Sequence, residues 1–184
     1  MTISQPDPRA ILEKSSLLVS RDEVKASVSR MAEQINEYYG DTQLILLIVM
    51  TGAVMPAAWL ASRLTMPMEM DFVHASRYAG ATEGGEIDFR VPPRLNMQDQ
   101  DVLIVDDIYD IGLTLEMIEN YCVSRAARSV NSAVLVRKIH DRPTTERKPR
   151  FIGMDVEDKY IFGCGMDAYE HWRHLHEIRA LEED

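Results

Sequence analysis

Two short runs, LILLIVM at 44–50 and VLIV at 102–105, are apolar at every residue, whereas a strand with one face in water would alternate apolar and polar side chains. Strands of this kind are buried on both faces, so helices must cover the sheet that holds them. Each run is followed by a glycine-bearing turn, and each turn by a stretch with helical spacing. Strand, turn and helix therefore repeat, and that order restricts the chain to a layered α/β arrangement.

The rest of the chain fits the same alternation. Val24, Val28, Met31, Ile35 and Tyr38 recur at helical intervals within 22–39, after an acidic first turn and before Gly40, which predicts an amphipathic helix. AAWLASRL at 57–64, after TGAVMP, predicts a second helix, and the apolar residues of 54–61 suit either a core or a subunit interface. A third helix is expected over 113–123, with Leu113, Met117, Ile118 and Tyr121 on one stripe. Further strands are expected at 68–73, 130–136, 151–154 and 160–162. The sheet should be mostly parallel with right-handed crossovers, and ligands bind such sheets at the carboxyl ends of the strands. Between these elements, 74–94 has glycines and acids in place of any apolar period, which predicts a long, mobile, hairpin-like excursion, and 140–150 is a polar loop.

With 184 residues, the chain has the length of one domain spanning 1–184. Its formal charge of -10 argues against nucleic acid and anionic membrane as partners. Cys122 and Cys164 lack metal-site spacing and fit a reducing compartment. The first ten residues lack a secretory pattern and no apolar run is long enough to span a bilayer, so a cytoplasmic protein is expected. His171, His174 and His176 invite a zinc reading, but offsets of three and five do not share a helical face.

The segment DVLIVDDIYDIGLTL at 101–115 is the most informative. A helix cap needs one carboxylate; Asp106, Asp107 and Asp110 repel one another unless a cation or hydroxyl groups share their charge. Gly112 and Thr114 stand where the N–H groups of a helix start converge, a preformed phosphate cradle. Acids beside such a cradle suit Mg²⁺ or ribose hydroxyls, so the combination describes a sugar phosphate.

The same segment resembles the phosphoribosyl diphosphate (PRPP) motif of type I phosphoribosyltransferases, and with the residues downstream nearly the whole chain resembles the hypoxanthine-guanine phosphoribosyltransferase family. The resemblance implies an α/β fold: a mostly parallel sheet flanked by helices, a small hood from the chain termini and a mobile hairpin loop. It implies transfer of the phosphoribosyl group of PRPP to hypoxanthine or guanine, giving IMP or GMP plus pyrophosphate, with Mg²⁺ as cofactor and a homodimer or homotetramer as the assembly. Carried over by position, Asp106 and Asp107 meet the ribose hydroxyls directly or through Mg²⁺, and Asp110 is the acid or base at purine N7. Ile111, Gly112, Leu113 and Thr114 hold the 5′-phosphate; Ile111 stands where the family usually has Thr or Ser, so a hydroxyl contact is missing. Thr51 and Gly52 match the pyrophosphate loop, although the family often has Lys or Arg at the position of Thr51, and a cis peptide often found there would fall at Met50–Thr51. Ser76, Arg77 and Tyr78 begin the lid. Lys138 meets the purine O6, Tyr160 stacks on the ring and Ile161 meets the base edge. Asp167 holds a second Mg²⁺, and Arg173 meets pyrophosphate. Alternatives are a transferase for xanthine or another base, a PRPP-sensing regulator on the same fold, and a phosphorylated receiver module, which would not need the GLTL cradle.

Overall fold

The computed structural model describes residues 6–77 and 87–182. Helix α1 (Pro8–Glu13) and strand β1 (Ser15–Val19) lead into α2 (Arg21–Tyr39). A reciprocal cap starts α2: the Ser20 N–H donates to Glu23 Oε2 at 2.9 Å and the Glu23 N–H to Ser20 Oγ at 3.4 Å. Then follow β2 (Leu44–Val49), α3 (Val54–Ala61), β3 (Met68–Arg77), β4 (Ile87–Val91), β5 (Asp101–Tyr109) and α4 (Leu113–Ser124). The chain closes with β6 (Ser129–Ile139), β7 (Phe151–Glu157), β8 (Ile161–Phe162) and β9 (Ile178–Leu181).

The main sheet has the order β4-β3-β2-β5-β6-β7. Its strands from β3 to β7 pair parallel, and β4 adds an antiparallel edge beside β3. From β2 the chain crosses through α3 to one neighbour, and from β5 through α4 toward the opposite edge; right-handed crossovers then put α3 and α4 on opposite faces. The central strands are buried as their composition requires, with Leu44, Leu46, Leu47, Leu103, Ile104 and Leu135 almost fully enclosed. A second, three-stranded sheet of order β1-β9-β8 joins the two ends of the chain and forms the expected hood. The Trp172 indole N–H donates to the Pro8 carbonyl at 2.8 Å, fastening α1 to it.

Several boundaries differ from expectation: β3 and β7 run on to Arg77 and Glu157, and α3 starts earlier, at Val54. Strand β5 does not stop at Val105 but continues through Asp106 and Asp107 to Tyr109, because β6 keeps pairing with it as far as Tyr109 opposite Arg137. For the same reason Lys138 lies inside β6 rather than after it. Tyr160 precedes β8 instead of starting it. The excursion after β3 begins as an antiparallel hairpin, with Ser76 opposite Asp88 and Arg77 opposite Ile87; Tyr78 lies outside the described residues. No helix among the described residues is long and apolar enough to cross a membrane.

Candidate active site

The carboxyl ends of β2, β5 and β6 bring most of the sequence-selected residues together. Gly112 adopts φ +88°, a conformation glycine reaches without strain, and it stands at the N-cap of α4 with no side-chain cap. The first N–H groups of α4 therefore have no side-chain acceptor there and suit an anion. Behind the turn, a Cβ on Gly112 would strike Tyr109 and Thr145. The Thr145 N–H donates to the Ile111 carbonyl at 2.9 Å, so the 140–150 loop braces the turn.

Asp106 and Asp107 lie side by side near the end of β5, close enough for each carboxyl to act directly on the other. Asp106 is 9% exposed, and its Oδ1 accepts the Asp107 N–H at 2.9 Å. Removal from water, followed by the neighbouring Asp107 charge, holds the Asp106 carboxyl well above the ordinary carboxylate range. Burial also raises Asp107, opposed by hydrogen bonding and by the positive charge of Arg173. Two desolvated carboxylates with hard oxygen donors suit a divalent cation, which would relieve the charge each imposes on the other. Among the described residues, no group of three or more acidic, His or Cys side chains is arranged to hold a metal by itself. The remaining ligands would have to come from substrate and water, as is usual for Mg²⁺.

Gly52 explains how the pyrophosphate-loop candidate meets these acids. A Cβ there would collide with the Asp107 carboxylate, and one at Gly165 would collide with the Gly52 carbonyl. Two backbone segments and the Asp107 carboxylate therefore converge where any side chain would block them. The peptide Met50–Thr51 is cis. Arg173 reaches the same place: it donates to the Gly165 carbonyl at 2.8 Å and pairs with Asp167 Oδ1 at 2.6 Å. Thus Arg173 and Asp167, selected separately, form one ion pair.

Asp110 lies at a second cluster. Arg142 Nη2 donates to Asp110 Oδ1 at 2.8 Å and to both Asp158 oxygens at 2.9 Å. The Arg142 backbone N–H donates to His140 Nδ1 at 3.2 Å, which leaves the ring proton on Nε2. That Nε2 is 2.9 Å from Asp110 Oδ1 yet lacks the alignment of a hydrogen bond. The contact is a close approach rather than a directed bond. Lys138 Nζ is 3.4 Å from Asp158 Oδ1, with its side chain 15% exposed; Arg137 turns instead to Asp155, at 2.7 and 2.8 Å. Tyr160 is half exposed rather than a core aromatic, stacked on Tyr169 with ring centres 6.1 Å apart. Ile161 is buried and pairs with Ala180.

His140, Arg142, Asp158, Thr145 and Gly165 were not selected from sequence. Asp158 and Gly165 lie within two residues of Tyr160 and Asp167, but His140, Arg142 and Thr145 sit in the 140–150 loop and carry no periodicity that marks them.

A phosphoribosyl transferase domain family matches residues 19–170 of the chain. The hypoxanthine-guanine phosphoribosyltransferase of Staphylococcus epidermidis is 30% identical over 168 residues, covering 91% of this chain and 93% of that protein. The hypoxanthine-guanine-xanthine phosphoribosyltransferase of Tritrichomonas foetus is 28% identical, covering 91% of each. Among solved structures, a hypoxanthine-guanine phosphoribosyltransferase from Bacillus anthracis superposes with a TM-score of 0.85 at 25% identity, over 91% of this chain and 98% of that one.

Proposed function

The chain belongs to the phosphoribosyltransferase family, and from that premise we propose that it is a purine salvage enzyme, transferring the phosphoribosyl group of PRPP to hypoxanthine or guanine as one domain. The observation that carries the reading is the pair of desolvated carboxylates, Asp106 and Asp107, beside an uncapped helix start. Buried acids whose charge the fold balances only in part, through Arg173 at Asp107, belong where a ligand supplies the rest.

In this reading the N–H groups from Gly112 to Thr114 hold the 5′-phosphate, with Ile111 contributing backbone only. Asp106 and Asp107 hold the ribose hydroxyls and Mg²⁺, which when bound supplies positive charge for the departing pyrophosphate. Thr51, Gly52 and Arg173 meet the pyrophosphate oxygens, the last through its guanidinium fork. Asp167, already paired with Arg173, serves the second Mg²⁺. Tyr160 offers a ring face to the purine, Ile161 meets its edge, and Lys138 donates to O6. As the C1′–pyrophosphate bond breaks and the N9–C1′ bond forms, Asp110 accepts the proton at N7. Ser76, Arg77 and Tyr78 lead into a lid that keeps water from the ribosyl centre. The protein works as a homodimer or homotetramer in the cytoplasm.

A steady-state assay of pyrophosphate release tests this reading, with Mg²⁺, PRPP and hypoxanthine, guanine, xanthine, adenine or uracil in turn. Hypoxanthine and guanine should turn over and adenine and uracil should not. Xanthine turnover would widen the range toward that of the Tritrichomonas foetus relative. No turnover with any base, with PRPP still bound, would favour a PRPP-sensing regulator.

A further inference from the structure

The base pocket satisfies itself. In the reading above, Asp110 accepts from N7–H of a 6-oxopurine and Lys138 donates to O6. Both positions are taken by groups of the chain: Arg142 Nη2 donates to Asp110 Oδ1 at 2.8 Å, and Asp158 Oδ1 lies 3.4 Å from Lys138 Nζ. Arg142 and Asp158 are in turn joined to each other at 2.9 Å. A donor therefore stands where N7–H would be, an acceptor where O6 would be, and a bond links the two as the ring links N7 to O6.

We propose that the Arg142–Asp158 ion pair is a built-in surrogate for the O6/N7 edge of the purine, which the incoming base must displace. The inference rests on the roles proposed for Asp110 and Lys138. Its physical basis is that a lone carboxylate and a lone ammonium in a half-enclosed pocket cost free energy when they lack partners. The surrogate supplies those partners while the pocket is empty. It can also leave readily. Arg142 belongs to the 140–150 loop and Asp158 to the turn after β7, with side chains 48% and 38% exposed. Both have water to turn toward, and an ion pair so exposed contributes little. Displacement should therefore weaken base binding modestly, while leaving the phosphate cradle and the Asp106–Asp107 pair untouched.

The test is the double variant Arg142→Met with Asp158→Ala, which removes the surrogate, keeps the net charge and retains the apolar stem at 142. With saturating Mg²⁺ and PRPP, its KM for hypoxanthine should fall about two- to fivefold relative to the parent protein. Its KM for PRPP should stay the same, which a general loosening of the fold would not produce. Arg142→Lys, which keeps a cation at the position, should hold the hypoxanthine KM within about twofold of the parent. A higher or unchanged hypoxanthine KM in the double variant overturns the surrogate, since the pair would then hold the base directly or play no part. Parent protein that turns over neither hypoxanthine nor guanine overturns the underlying reading, and the surrogate with it.

Discussion

Strand β5 carries a buried aspartate near each end, and the two have opposite fates. Asp101, 7% exposed, accepts from Ser129 Oγ at 2.6 Å and from Arg128 Nε at 3.2 Å, with Arg128 Nη2 closing the fork. The Arg128 guanidinium, aided by Ser129 and against the effect of burial, holds its carboxyl below the usual range. Asp106, 9% exposed, has one backbone N–H and a like-charged neighbour, and its carboxyl is raised. Residue type, strand and exposed surface are nearly the same; the partners differ, and so does the depth of burial, since loss of water is the leading influence at Asp106 but not at Asp101. At the amino end the fold completes its own hydrogen bonding, and at the carboxyl end it leaves charge for something else to complete.

The largest expected effect comes from Asp110, which should be chemical rather than structural. Asp110→Asn should lower turnover by about 10²- to 10⁴-fold with little change in PRPP binding. Single-turnover kinetics beside a binding titration would check it, and normal chemistry with lost PRPP binding would remove the proposed role. Next, Asp101→Ala should destabilise the fold by roughly 1–2 kcal/mol in denaturant unfolding, because it strips partners from Ser129 and Arg128. The loss stays small because the Arg128 side chain is 57% exposed and can turn to water.

The opposite sign is expected at the other end of the strand. A carboxyl whose folded pKa is raised favours its protonated form, so its contribution to stability is present below the ordinary value of 3.8 and is lost as pH rises through the raised folded value. Asp106→Asn should therefore stabilise the ligand-free protein at pH 7 while abolishing turnover. A midpoint measured against pH should show the gain shrinking toward acid, and a neutral-pH loss of stability would break the comparison. The smallest effect is expected at Ile111. Restoring a hydroxyl with Ile111→Thr should strengthen PRPP binding by about 1 kcal/mol, and unchanged affinity in a titration would show that the backbone N–H suffices.

The sequence made legible what depends on near neighbours. The stripe from Val24 to Ile35, the runs of β2 and β5 and the glycine before α4 are local patterns, and the structure places them as expected. The extension of β5 through two acids was hidden because charged residues in sequence look like a turn, whereas continued pairing with β6 keeps them in the strand. Strands β1 and β9 were hidden for a related reason. Ser15 pairs with Leu181, a partner at the other end of the chain, and neither segment has a strong period of its own. At the candidate site, Asp106 to Thr114 could be read because strand, acids, glycine and helix start are contiguous. Arg142 could not, since it comes from an aperiodic loop and acquires meaning only when folding sets it between Asp110 and Asp158.

The most direct measurement is the thermal midpoint at pH 7 with and without Mg²⁺ plus PRPP, for the parent protein, Asp101→Asn and Asp106→Asn. If the carboxyl end of β5 is a ligand's binding surface and the amino end a structural brace, Mg²⁺ and PRPP together should raise the midpoint of the parent and of Asp101→Asn by similar amounts. The rise should be much smaller in Asp106→Asn. An equal rise in all three proteins, or none in the parent, would contradict the account.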